Sequence, residues 1–113
     1  MAKNLSKIAK IKKIKYFLIS FVDLFGVLRS KLVPAEAIGE MQKNGAGFAG
    51  FATWLDMTPA DTDMFAIPDP NSFIQLPWNK EVGWLASDLY MEGKPVNASP
   101  RVILKKQIER LQK

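Results

Sequence analysis

The chain has 113 residues, with 16 lysines and arginines against 11 aspartates and glutamates, a formal charge of +5 and 48% apolar residues. That length and apolar content suit one domain with a buried core and exclude intrinsic disorder. Cysteine and histidine are both absent, which excludes disulfides, thiolate zinc sites, imidazole metal ligands and Ser-His or Cys-His nucleophilic pairs, and leaves carboxylates, lysines, arginines and hydroxyls for any chemistry.

From Asn4 to Ile14, apolar Leu5, Ile8, Ile11 and Ile14 recur every third residue among lysines, which predicts a short amphipathic helix. Six lysines and no acid lie between Lys3 and Lys15, and "KKQIERLQK" at the other end is also basic. These runs read as solvated helix faces, since no aromatic residue stands among the lysines to stack a base, so neither nucleic acid nor membrane is an expected partner. The basic start followed by apolar Tyr16–Val22 has the outline of a secretory signal, but no small-residue cleavage pattern follows, and the run is too short to span a bilayer. A cytoplasmic location is expected.

"KYFLISFVD" reads as a strand closing in a turn at Phe25 and Gly26, and "VLRSKLV" as its hairpin partner. Pro34 suits the first turn of a helix that places Ala37, Ile38 and Met41 on one face and stops at Asn44 and Gly45. A long irregular loop, "NGAGFAGFATWLDMTPADTDMF", then runs from Asn44 to Phe65. It carries two glycine-alanine pairs before three aspartates, Asp56, Asp61 and Asp63. Asp61 and Asp63 could share a metal, but without a third ligand they read as a cap or a loop surface. "SFIQLPW" and "EVGWLASDLYM" are strand-like, the second bounded by the turn "EGKP". Ser99 as cap and Pro100 at the first helical position open a last helix with an apolar stripe of Val102, Ile103, Ile108 and Leu111. Helix, hairpin, helix, loop, strands and helix in that order predict an α+β fold, a β-grasp-like sheet with helices packed on one face plus flanking N- and C-terminal helices. The expected divisions are a helix over 1–14, the β-grasp domain over 15–98, and the start of a further helix over 99–113.

Five stretches in order, "SFVDLFGVLRSKLVPAEAI", "GFAGFATW", "TDMFAIPDP", "LPW" and "SPRVILKK", resemble the amino-terminal β-grasp domain of glutamine synthetases. The resemblance is strongest to the branch often labelled type III, which includes ligases making γ-glutamyl amides from amines other than ammonia. It implies an ATP-dependent ligase that phosphorylates the γ-carboxylate of glutamate and lets an amine displace the phosphate, with ATP and Mg2+ or Mn2+ held by a larger carboxy-terminal catalytic domain. It also implies that the small domain sends its loop into the active site of a neighbouring subunit of a ring-shaped homo-oligomer, excluding water there. The residues agree on what this chain lacks: neither a glycine-rich phosphate cradle with a lysine nor a magnesium-binding carboxylate cluster occurs, so no residue is a candidate for catalysis, metal or nucleotide binding. Alone, the chain is expected to be inactive, as a piece of a longer enzyme or a detached domain. The alternative is a free-standing β-grasp interaction module, docking through the stripe of its last helix.

At the loop, the family pattern Phe-Asp-Gly-Ser-Ser corresponds to Phe48, Ala49, Gly50, Phe51 and Ala52. In the family, the resemblance implies, the aspartate attracts and helps deprotonate ammonium; Ala49 has neither charge nor lone pair to do so. A phenyl ring at Phe51 in place of a serine would favour an alkylated amine over a small hydrated cation. Two readings of Phe51 stand open: contact with the amine, or packing within the domain while an acid from the catalytic domain serves the amine. Trp54 resembles the family's loop tryptophan, Asp63 the acid of its Ser-Asp-Met, Pro68 and Asp69 its Pro-Asp turn, and Ser99, Pro100 and Arg101 its Asp-Pro-Arg with a neutral cap.

Overall fold

The computed structural model describes residues 3–50 and 57–112. β-branched and aromatic residues at alternating positions make Tyr16–Val22 (β1) and Leu28–Pro34 (β2) an antiparallel hairpin, in register from Tyr16↔Pro34 to Val22↔Leu28. Its turn is organised by Asp23, which is 1% exposed. One carboxylate oxygen accepts the backbone N–H groups of Phe25 and Val27 at 2.9 and 3.0 Å, and the other accepts Arg29 Nε at 2.9 Å. Burial pushes this carboxyl upward, but the Val27 N–H, the Arg29 guanidinium and the Phe25 N–H together hold it below the ordinary carboxylate value.

Val82–Met91 (β6) lies parallel to β1, in register from Tyr16↔Val82 to Ser20↔Ala86. Met64–Pro68 (β4) runs antiparallel to β6, and Ala46–Phe48 (β3) antiparallel to β4. The sheet order is therefore β2-β1-β6-β4-β3, with short Ile74–Gln75 (β5) and Lys94–Pro95 (β7) added onto β6. A parallel central pair flanked by antiparallel strands is the β-grasp-like arrangement that the order of elements predicted.

One face of the sheet carries the core. Phe17 and Ile19 of β1, Met64 and Ala66 of β4, and Leu85 and Leu89 of β6 are buried there with Leu5 and Ala9 of α1 (Leu5–Lys12) and Ile38 of α2 (Ile38–Asn44). Alternation along β6 turns Trp84, Ala86 and Asp88 to the other face. There α3 (Pro100–Leu111) is tied down by Arg101, whose guanidinium reaches Asp88 at 2.9 Å and Asp69 at 2.6 Å, and by Lys105, 2.6 Å from the second Asp88 oxygen. The Pro-Asp turn and the Ser-Pro-Arg start of the last helix, separate in sequence, are thus one ion-paired cluster.

Several local expectations change. α1 stops at Lys12, with Lys13 in the left-handed region at φ 58°, and Ile11 is 80% exposed. A strict three-residue spacing falls 60° behind the helix at each step, so Ile11 has rotated off the face that Leu5, Ile8 and Ala9 share. Pro34 ends the edge strand β2 instead of entering a helix, and a 3-10 turn at Ala35–Ala37 precedes α2; a residue without an N–H is tolerated at that edge. Within "SFIQLPW" only Ile74 and Gln75 form a strand, following a 3-10 turn at Pro70–Ser72 that Asp69 caps through the Asn71 N–H. The Ser99 hydroxyl does not cap α3 and is itself buried. Ile103, Leu104, Ile108 and Leu111 of that helix remain exposed. Among the described residues no helix is long and apolar enough to cross a membrane.

Candidate functional site

The stretch from Asn44 to Phe65 is not loop throughout, because its ends pair. Gly45 closes α2 at φ 86°, and a Cβ there would stand 3.0 to 3.1 Å from Phe65, Ala66 and Ile67 of β4. Only glycine combines that backbone angle with so close an approach. β3 then pairs Ala46↔Ala66, Gly47↔Phe65 and Phe48↔Met64, so Ala49 and Asp63 leave one antiparallel pair together at a narrow neck.

The side chains at that neck come from both edges of the sheet. Phe48 meets Phe21 of β1 edge to face, with ring centroids 4.7 Å apart. Lys31 of β2 donates its ammonium to the Gly47 carbonyl at 2.6 Å and stands 5.3 Å above the Phe48 ring. β2 and β3 are the two ends of the sheet order and have no ladder between them. Curling of the sheet brings them together, and the Lys31 side chain spans the seam.

Of the residues singled out in the sequence, Phe48 is half-buried and anchored, Ala49 is exposed, and Gly50 is buried, where a Cβ would collide with the Met57 sulfur. Phe51, Ala52 and Trp54, together with Asp56, lie outside the described residues. Asp63 is exposed, one residue before β4. Nearby, Asp61 accepts the Thr58 N–H at 2.7 Å and the Thr58 hydroxyl accepts the Ala60 N–H at 3.2 Å. The structure therefore places Phe48, Ala49 and Gly50 side by side at the neck and leaves Asp63 across it. Lys31 and Phe21 were given no role in the sequence; the one signal for Lys31 is the β2 alternation that puts it on the face of buried Val33.

One other surface has chemical character. On the face away from the core, Leu18, Leu28, Ile74, Trp78 and Trp84 line an apolar groove of about 490 Å3, with Trp78 81% exposed. Among the described residues no group of three or more carboxylate, cysteine or histidine side chains could hold a metal ion.

No protein-family model matches the chain. It is 60% identical over 108 residues to a glutamine synthetase of Rhizobium leguminosarum bv. phaseoli, and 41% identical over 104 residues to a glutamate--methylamine ligase of Methyloversatilis universalis. These alignments cover 96% and 90% of this chain but 25% and 24% of those proteins. A solved structure of a GmaS/ADP complex superposes with a TM-score of 0.95 at 60% identity, over 96% of this chain and 25% of that one. The chain thus spans about a quarter of the length of the relatives it matches. With the β-grasp-like sheet, the ordered motifs and identity at this level, the chain belongs to the glutamine synthetase family, as the amino-terminal domain of a glutamine-synthetase-like ligase.

Proposed function

We propose that the chain is the amino-terminal part of an ATP-dependent enzyme that joins an amine to the γ-carboxyl of glutamate, and that residues 49–63 are the flap it offers to the active site of a neighbouring subunit in a ring-shaped cytoplasmic homo-oligomer. The observation that carries this reading is Ala49, exposed at the flap's neck between anchored Phe48 and buried Gly50. A methyl group presented where the family pattern has a carboxylate offers no attraction to ammonium, and favours an amine whose own carbon makes contact. A relative that is a glutamate--methylamine ligase supports an alkylated amine as substrate.

The described residues do not fit the divalent metals of such an enzyme, since no cluster of ligands occurs among them. Metal and nucleotide are accordingly assigned to the remainder of a longer enzyme, and what this domain supplies is enclosure. A flap closing over the activated carboxyl keeps water from competing with the amine. The apolar groove beside Trp78 and Trp84, together with exposed Leu104 and Ile108 on α3, suits a surface on which further protein packs.

The deciding experiment is steady-state turnover by the full-length enzyme with methylamine and with ammonium at matched concentrations. A higher kcat/KM for methylamine is expected. A clear preference for ammonium would overturn the alkylamine assignment.

A further inference from the structure

α1 and the 3-10 turn at Ala35–Ala37 border a cleft of about 590 Å3. Its floor is apolar, with buried Ala9 and Ile14, and its polar groups come from both walls: Ser6, Lys10 and Lys13 from α1 and its end, Glu36 from the turn. None of these four side chains is used by the fold. Among the described residues Lys10, Lys13 and Glu36 form no ion pair, and the Ser6 hydroxyl has no hydrogen-bond partner. Lys15, two residues beyond Lys13, does find an acid, Glu81 at 3.4 Å.

Lys13 is kept at the cleft against the preference of its backbone. Its φ of 58° is left-handed, and its N–H and that of Ile14 both donate to the Ala9 carbonyl, the second at 2.9 Å. A helix end of this form favours glycine, because a Cβ there crowds the following carbonyl. A long cationic side chain stands where the chain itself would be best served by none.

We propose that this cleft binds an acidic amino acid, a molecule with two carboxylates and one ammonium: Lys10 and Lys13 take the carboxylates, Glu36 takes the ammonium, and the Ser6 hydroxyl donates to a carboxylate oxygen. The charges select that class. Two lysines and one glutamate give the lining a net charge of +1, and an acidic amino acid carries the complementary set. A purely anionic ligand would set Glu36 against a like charge, and a neutral one would leave all three charges unanswered. Exposed ion pairs are individually weak, so three of them acting on one small molecule suit a Kd on the order of 10 mM. The assignment needs nothing from the ligase reading, and either can fail alone.

The test is a titration of the 113-residue chain, which carries its own core, with L-glutamate as the probe at constant ionic strength. Calorimetry gives the affinity and amide chemical shifts give the place. Glutarate, the same dicarboxylate without the ammonium, is the paired ligand. Saturable binding of L-glutamate is expected, with shifts centred on Ser6, Lys10, Lys13 and Glu36, and glutarate about threefold weaker. Glu36→Gln is expected to erase that difference by weakening glutamate alone, and Lys10→Met to weaken both ligands about three- to fivefold. Lys13→Gly relieves the left-handed backbone, so it is expected to hold or raise the urea midpoint while weakening both ligands as Lys10→Met does, which separates lost binding from lost folding. Lys7→Met, on α1 outside the cleft, is expected to leave binding unchanged. Absence of saturable L-glutamate binding overturns the site. Equal affinity for glutarate and glutamate makes it a site for anions only, and a Lys7→Met loss as large as that of Lys10→Met assigns the attraction to the overall charge of α1; either result also overturns the proposal.

Discussion

The molecule contains two hairpins built on opposite plans. β1 and β2 are joined by a tight turn whose one acid, Asp23, is buried and saturated by two backbone N–H groups and Arg29. β3 and β4 are joined by residues 49–63, whose neck shows a bare Ala49 and among whose described residues the acids Asp61 and Asp63 are exposed. In the first hairpin charge is used inward to fix a turn. In the second the pairing is short, the connection long, and the fixing is done from outside it by Phe21 and Lys31.

Truncating the shared aromatic contact from each side sharpens this contrast most. Phe21→Ala opens a cavity in the core, where Phe21 is 4% exposed, and is expected to cost about 3–5 kcal/mol in urea unfolding. Phe48→Ala removes a half-buried ring and is expected to cost about 1–2 kcal/mol. Equal costs would mean that the neck is as much part of the core as β1 is.

Asp23→Asn tests the inward use of charge. The folded-state pKa of Asp23 is lowered, so the stability its ionised form contributes is fully present above the ordinary carboxylate value of 3.8 and is lost as pH falls through the lower folded value. The variant is expected to be less stable than the parent at pH 7, and the gap should narrow once the pH drops below that ordinary value. Urea midpoints across the acid range check it, and a gap constant down to the most acid pH would show that the carboxylate's ionisation contributes nothing.

The smallest effect is expected from Asp61→Ala. Its hydrogen bonds close an exposed turn inside the flap, so global stability should fall by no more than about 0.5–1 kcal/mol. Amide exchange at Thr58 and Ala60 should nonetheless accelerate, and unchanged exchange there would remove Asp61 from the flap's return.

How much of this was legible beforehand divides along the same line. The first hairpin could be read because its signals are local: alternating β-branched and aromatic residues on either side of an aspartate and a glycine. β3 and β4 could not, because Ala46 and Gly47 have no strand character of their own and become a strand only by pairing with Phe65 and Ala66. In the same way "SFIQLPW" has strand composition over its whole length but forms a strand at two residues only, where β6 offers an edge. The family landmarks singled out Phe48, Ala49 and Gly50, which leave β3 one after another. They said nothing of Lys31, whose partner lies 16 residues away on the opposite edge of the sheet.

By itself, then, the sequence determined the elements whose hydrophobic period and turn residues are contiguous, the absence of thiol and imidazole chemistry, and the family to which the ordered motifs point. Tertiary structure alone decided that β6 lies parallel to β1, that Arg101 joins Asp69 to Asp88, and that the sheet curls until Lys31 of one edge reaches Gly47 of the other. Each of those is a contact between residues far apart in the chain, chosen by which surfaces the core brings together, and no local pattern of residue types encodes that choice.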